Sequence, residues 1–185
     1  MLCILGLIAM VPAIGQDRLP RNNIGFSAGL VPAVNEIYID DPFDTWPARQ
    51  ASYIVQLSYA RHFTEACLFG PYLEFEKVRF TGFDSPELHS FQRFNAGINW
   101  LGKYPLTKLH MQLGGFVGFG FLRKADWDDL WGPDAGMIAG PAFETRHFGV
   151  ALHFQIGYAW YESTGIPQGV MLYNPKFLLK FYGKL

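Results

Sequence analysis

Between residues 150 and 161 the chain reads VALHFQIGYAWY, with Val150, Leu152, Phe154, Ile156, Tyr158 and Trp160 alternating with Ala151, His153, Gln155, Gly157 and Ala159. A period of two belongs to a β-strand, because successive side chains leave the backbone on opposite faces. The same alternation recurs in eight runs, roughly 23–34, 50–63, 67–80, 89–102, 107–122, 135–145, 148–161 and 170–183. None shows the three-and-four spacing of an amphipathic helix. Most are at least as long as the ~9–11 residues a tilted strand needs to cross a bilayer, and longer than the ~5–6 usual in globular proteins.

The connections alternate as regularly as the side chains. Those after the second, fourth and sixth runs are tight: Thr64-Glu65-Ala66, Lys103-Tyr104-Pro105-Leu106 and Arg146-His147. Those after the first, third, fifth and seventh are long, centred on NEIYIDDPFDTWPAR, TGFDSPEL, KADWDDLWGP and ESTGIPQG. Short turns at one end and long loops at the other predict an all-β fold, an eight-stranded antiparallel up-and-down transmembrane β-barrel.

Composition decides which face points outward. Half of the residues are hydrophobic and only 17% are charged, below the ~25% of soluble domains. One face carries Tyr53, Val55, Leu57 and Tyr59, then Leu109, Met111, Leu113, Val117, Phe119 and Phe121, then Met171, Tyr173, Phe177, Leu179 and Phe181. The other carries Ser52, Gln56 and Ser58, then His110, Gln112, Gly114, Gly118 and Gly120, then Asn174, Lys176 and Lys180. Eight strands enclose a space just wide enough for side chains, so the small hydrophilic face belongs inside and the bulky face belongs against lipid. Aromatic residues cluster towards the two ends: Tyr59, Phe63, Trp100, Tyr104 and Phe148 by the short turns, and Tyr53, Phe121, Trp160 and Tyr161 by the long loops. Two interfacial girdles are expected there.

Prolines complicate the pattern. Pro32, Pro71, Pro141 and Pro175 fall inside predicted strands, where each removes a ladder hydrogen bond. Pro71 and Pro141 sit in a repeated Gly-Pro-x-apolar-Glu, at 70–74 and 140–144, and a bulge is expected at each. Pro175 lies nearer the middle of its run and has no evident place.

The first fifteen residues, MLCILGLIAMVPAIG, have the apolar core and small-x-small ending of a secretory signal peptide, leaving 16–185 as the mature barrel. The missing basic start predicts that the natural start lies upstream. Cys3 would leave with that segment, so Cys67 has no partner for an intramolecular disulfide. A net charge of −1 offers no basic field for nucleic acid.

The inward face collects Glu74, Glu76, Arg93, Glu144, Lys176 and Lys180 together with His110 and His153. Three carboxylates against three cations predict an internal ion-pair network that closes the lumen, because unpaired buried charge is costly. A narrow conduit lined by the same groups is the alternative. Catalysis finds little support. The histidines are His62, His89, His110, His147 and His153, and the only serine adjacent to one is Ser90, beside His89, where strand geometry sends the two side chains apart. No metal site and no cofactor are expected; DWDDLWG starts like a calcium loop but carries Leu130 at its fifth position and its glycine one residue late. The long loops are acidic and aromatic, with Asp40, Asp41, Phe43, Asp44 and Trp46, then Asp126, Trp127, Asp128, Asp129 and Trp131. They are the candidates for contact with lipopolysaccharide, a protein or a glycan.

The last run, with Phe177, Leu179, Phe181, Gly183 and Leu185 alternating to the final residue, is similar to the strand by which bacterial outer-membrane barrels are recognised for assembly, although it ends in leucine rather than an aromatic. With the loop pattern, the chain resembles the small eight-stranded outer-membrane barrels of the OmpA transmembrane, OmpW and OmpX types. That resemblance implies an integral outer-membrane protein that is structural, adhesive, an accessory of an envelope complex, or a narrow channel. Outer-membrane lipid, lipopolysaccharide and other envelope proteins are the partners it implies. A lipid-modifying enzyme and, with the oily face turned inside, a soluble lipocalin-like binder are the remaining readings.

Overall fold

The structure, a computed structural model, describes residues 22–33, 37–39, 48–81, 88–105, 107–123, 129–162 and 169–185. The proposed signal segment lies outside them. So do Asp40, Asp41, Phe43, Asp44, Trp46, Asp126, Trp127 and Asp128. The described elements are all strands: β1 (Asn22–Val31), β2 (Ile37–Ile39), β3 (Ala48–Gln50), β4 (Ser52–Thr64), β5 (Cys67–Thr81), β6 (Leu88–Tyr104), β7 (Leu109–Arg123), β8 (Leu130–Glu144), β9 (Phe148–Glu162), β10 (Gly169–Tyr173) and β11 (Lys176–Lys184).

Every pairing is antiparallel, and β1, β4, β5, β6, β7, β8 and β9 follow one another around the wall. The ring closes because β11 pairs with β9 on one side and β1 on the other. Closure removes both sheet edges, the one way a sheet can satisfy its backbone inside hydrocarbon. β2 lies along β10 and β3 along β5, extending the wall at the long-loop end.

β10 and β11 are one stave, since Tyr173↔Tyr158 and Lys176↔Gln155 fall on one unbroken register against β9. Between them the Asn174 amide donates to the Gly157 carbonyl at 2.9 Å. Backbone donors alternate between neighbouring strands, so the donor Pro175 lacks would have pointed the other way, towards β1. Counting on from Leu30↔Phe177 sets Pro32 opposite Pro175, just where the β1–β11 ladder has ended. Pro175 therefore costs no bond to β9 and marks the end of the seam.

The bulges expected at Pro71 and Pro141 are absent. Register runs through both, from Leu57↔Leu73 to Arg61↔Phe69 and from Ala139↔Phe154 to Ala142↔Ala151. Each proline follows a glycine on which the facing strand closes tightly. A Cβ on Gly70 would lie 2.1 Å from the Tyr59 carbonyl oxygen, and one on Gly140 would lie 1.8 Å from that of Leu152.

The outer face is oily along every full-length stave, as adjacent residues show: Leu113 is 55% exposed and Gln112 is 2% exposed. An aromatic row crosses four staves, with centroids 4.8 Å apart for Phe75–Phe94, 4.9 Å for Phe94–Phe121 and 4.9 Å for Phe121–Trp131. Such cross-strand pairs add ~0.5–1.5 kcal/mol each beyond area burial. Tyr53, Tyr59, Trp100 and Tyr104 are exposed near the ends, while Phe121 and Trp160 are half-buried. Trp131 belongs to β8 and not to the preceding loop, because that strand begins five residues earlier than its alternation suggested. Tyr161 is a second correction: it is fully buried and faces inward, so it cannot belong to an outer girdle.

Candidate functional site in the barrel lumen

The lumen is filled by a stack of layers. Nearest the long loops lies an apolar one containing Val78, Leu122, Leu130, Tyr161 and Leu172. Alternation hid these residues, because on their strands both faces are bulky at that level.

Beneath it, Arg93 of β6 gathers the charges. Its Nη1 donates to Glu74 Oε1 at 2.9 Å and Glu76 Oε2 at 3.1 Å, its Nη2 to Asp134 Oδ2, and its Nε to the Tyr161 hydroxyl at 2.6 Å. Lys176 Nζ donates to Glu74 Oε1 at 2.7 Å. Ser52 Oγ donates to Glu76 Oε1 at 2.7 Å, Gln56 Nε2 to Glu74 Oε2 at 3.2 Å, and Asn95 Nδ2 to Asp134 Oδ2 at 2.6 Å. Six of the eight staves contribute, so the layer spans the lumen from wall to wall. A guanidinium suits this place because its planar fork can hold several carboxylates at once and never loses its charge. Asp134 was missed in the sequence, where Trp131-Gly132-Pro133 looked like loop. The clue was the inward series Leu130, Gly132, Asp134, Gly136 and Ile138, which continues the period of two.

An aromatic layer follows. Tyr72 and Phe116 meet edge to face at 6.2 Å and 86°, joined by Leu68, Leu101 and Ile138. Phe116 fits because Gly136 and Gly157 face each other across the ladder, and a Cβ on either would lie 2.7 or 2.8 Å from its ring tip. Lys176 Nζ sits 5.3 Å from the Phe116 centroid, tying this layer to the ionic one.

At the short-turn end a second polar cluster surrounds Glu144. Lys103 Nζ donates to both of its oxygens at 2.6 and 2.8 Å, Lys184 Nζ to Oε2 at 2.8 Å, and the Tyr182 hydroxyl to Oε1 at 2.6 Å. His110 Nε2 lies 3.7 Å from Glu144 Oε1. A chain of bonds leads inward from there. His110 Nδ1 donates to Thr107 O at 3.0 Å, leaving Nε2 to accept from Gln112 Nε2 at 3.2 Å, and His153 Nε2 donates to Gln112 Oε1 at 2.8 Å; the tautomers are assigned from these partners. Lys103 and Lys184 escaped the sequence reading because one looked like turn and the other lay past the final run.

The six charged residues expected to balance one another are thus divided. Glu74, Glu76, Arg93 and Lys176 meet in the upper layer, Glu144 lies in the lower cluster, and Lys180 forms no ion pair among the described residues. Of the loop candidates, Asp129 and Trp131 are described: Asp129 is exposed and lies 3.8 Å from Arg123 Nε, and Trp131 is exposed on β8. Cys67 is a half-buried free thiol.

An oily wall closed around a polar, side-chain-filled lumen is the construction of a membrane-spanning barrel. No protein-family model matches the chain, and no curated protein sequence matches it. Among solved structures, Neisserial surface protein A (NspA) superposes with a TM-score of 0.56 at 9% identity, covering 89% of this chain and 96% of that one. The outer membrane protein Ail of Yersinia pestis, solved in a phospholipid bilayer nanodisc, gives 0.45 at 13% identity over 87% of this chain and 99% of that one, too loose a likeness to add to it. The chain has the fold of the small eight-stranded outer-membrane barrels.

Proposed function

We propose that the chain is an integral protein of a bacterial outer membrane, exported under residues 1–15 and closed to solutes. It acts as an accessory barrel through its acidic, aromatic long loops or as a subunit of a larger envelope complex. The observation that carries this reading is the Arg93 layer. A cation bonded to three carboxylates and a tyrosine, between two apolar layers, packs the middle of the lumen with side chains. An outer wall of exposed Leu, Phe and Val matches acyl chains, and the loops, rich in Asp40, Asp44, Asp126 and Asp128 beside Trp46 and Trp127, are suited to sharing divalent cations with lipopolysaccharide or docking a protein neighbour. We read it as non-enzymatic: His110 and His153 are engaged with Gln112, at the centre of a structural bond chain.

The test is isolation from native outer membranes in mild detergent, followed by planar-bilayer recording. The folded barrel should migrate faster unboiled than boiled, co-purify with lipopolysaccharide or an envelope protein, and carry no resolved current. Steady current steps would turn the reading to a narrow conduit, and turnover of lipid by the purified protein would turn it to an enzyme.

A further inference from the structure

The short-turn half of the lumen holds more positive charge than its carboxylate can balance. Glu144 already faces Lys103 and Lys184. Four residues deeper than Lys184 on the same face of β11, Lys180 is 6% exposed and meets no carboxylate among the described residues; its Nζ lies 5.9 Å from the Tyr182 ring centroid. An ammonium taken out of water without a counter-charge is strongly disfavoured.

Beside it is a small cavity, with about 10 Å³ open to the centre of a water-sized molecule, lined by Lys180, Asn23, Ser58, Gln112 and Tyr182 among others. Gln112 is fixed by His110 and His153, but two other donors at the cavity are held only loosely. Ser58 Oγ reaches the Gly25 carbonyl at 3.5 Å, and Asn23 Nδ2 lies 3.4 Å from His62 Nε2. Bonds this long are weak, so each donor can turn to a better acceptor at little cost. The bare backbone of Gly25 leaves room for the lysine stem, since a Cβ there would lie 2.8 Å from Lys180 Cε.

We propose that this cavity binds a small monovalent anion of halide size, held by the Lys180 ammonium and by hydrogen bonds from Ser58 and Asn23. A space this small favours a single-atom anion over sulfate or phosphate. Access is from the short-turn mouth, where two lysines on one carboxylate leave a net positive rim; the Tyr72–Phe116 layer and the Arg93 layer bar passage further in. The site belongs to the lumen itself and stands whichever membrane holds the barrel.

Crystals of the refolded barrel soaked in sodium bromide should show an anomalous scattering peak beside Lys180 Nζ. The temperature at which the fast-migrating band is lost should rise by roughly 2–4 °C on exchanging sodium gluconate for bromide at matched ionic strength, because a ligand of the folded state alone stabilises it. Lys180→Met should abolish that rise, and Ser58→Ala, which keeps the ammonium, should reduce it. A bromide map empty at Lys180, a water there in its place, or an equal halide shift in Lys180→Met would overturn the proposal. The map is read on the unaltered chain, so it decides even if a variant fails to fold.

Discussion

The two ion clusters of the lumen are built from the same residue types and behave as opposites. Around Arg93, three carboxylates meet two cations, their side chains are at most about 1% exposed, and with their uncharged partners they come from six staves. Around Glu144, one carboxylate meets two lysines, and their side chains remain 5–11% exposed at the short-turn mouth. In the first, every charge depends on the others, because none has water to fall back on. In the second, each lysine backs up the other and solvent is a short rotation away. Buried pairs gain little over a hydrophobic core, but breaking one strands its partners. Depth, more than the number of bonds, therefore sets what each cluster contributes.

The sharpest way to break this contrast is Arg93→Met. It leaves Glu74, Glu76 and Asp134 together without their shared cation, and the folded barrel should lose about 3–5 kcal/mol, read from the urea midpoint in detergent. A loss no larger than that of a rim substitution would remove the distinction between the clusters. Glu144→Gln keeps the shape but weakens the hydrogen bonds from Lys103, Lys184 and Tyr182, at an expected cost of about 1–3 kcal/mol by the same measurement. Lys184→Ala should cost least, at most about 1 kcal/mol, since Lys103 continues to hold Glu144. Its effect should fade as salt is raised, because the screening length falls from ~10 Å at 0.1 M to ~3 Å at 1 M. A salt-independent loss would place the rim cluster with the buried one.

The alternation made most inward residues legible, Glu74, Glu76, Arg93, Lys176 and His153 among them, because a strand assigns faces by parity alone. It failed where parity was masked. Trp131-Gly132-Pro133 mimicked a loop and concealed Asp134, and Tyr161 looked like an interfacial aromatic when its hydroxyl is the fourth partner of Arg93. Phe116 and Leu122, greasy and yet inward, could not be told from their outward neighbours by chemistry.

Sequence by itself determined the period of two, the number of staves, the sorting of short turns from long loops and the oily outer wall, since each of these is local and repeats along the chain. Tertiary structure alone decided that Lys176 reaches Glu74 across 102 positions, that Pro175 faces the spent end of β1, and that Lys180 is left without a counter-charge. Those facts depend on the angular position of each side chain around a closed ring, which register and closure fix and no single strand encodes.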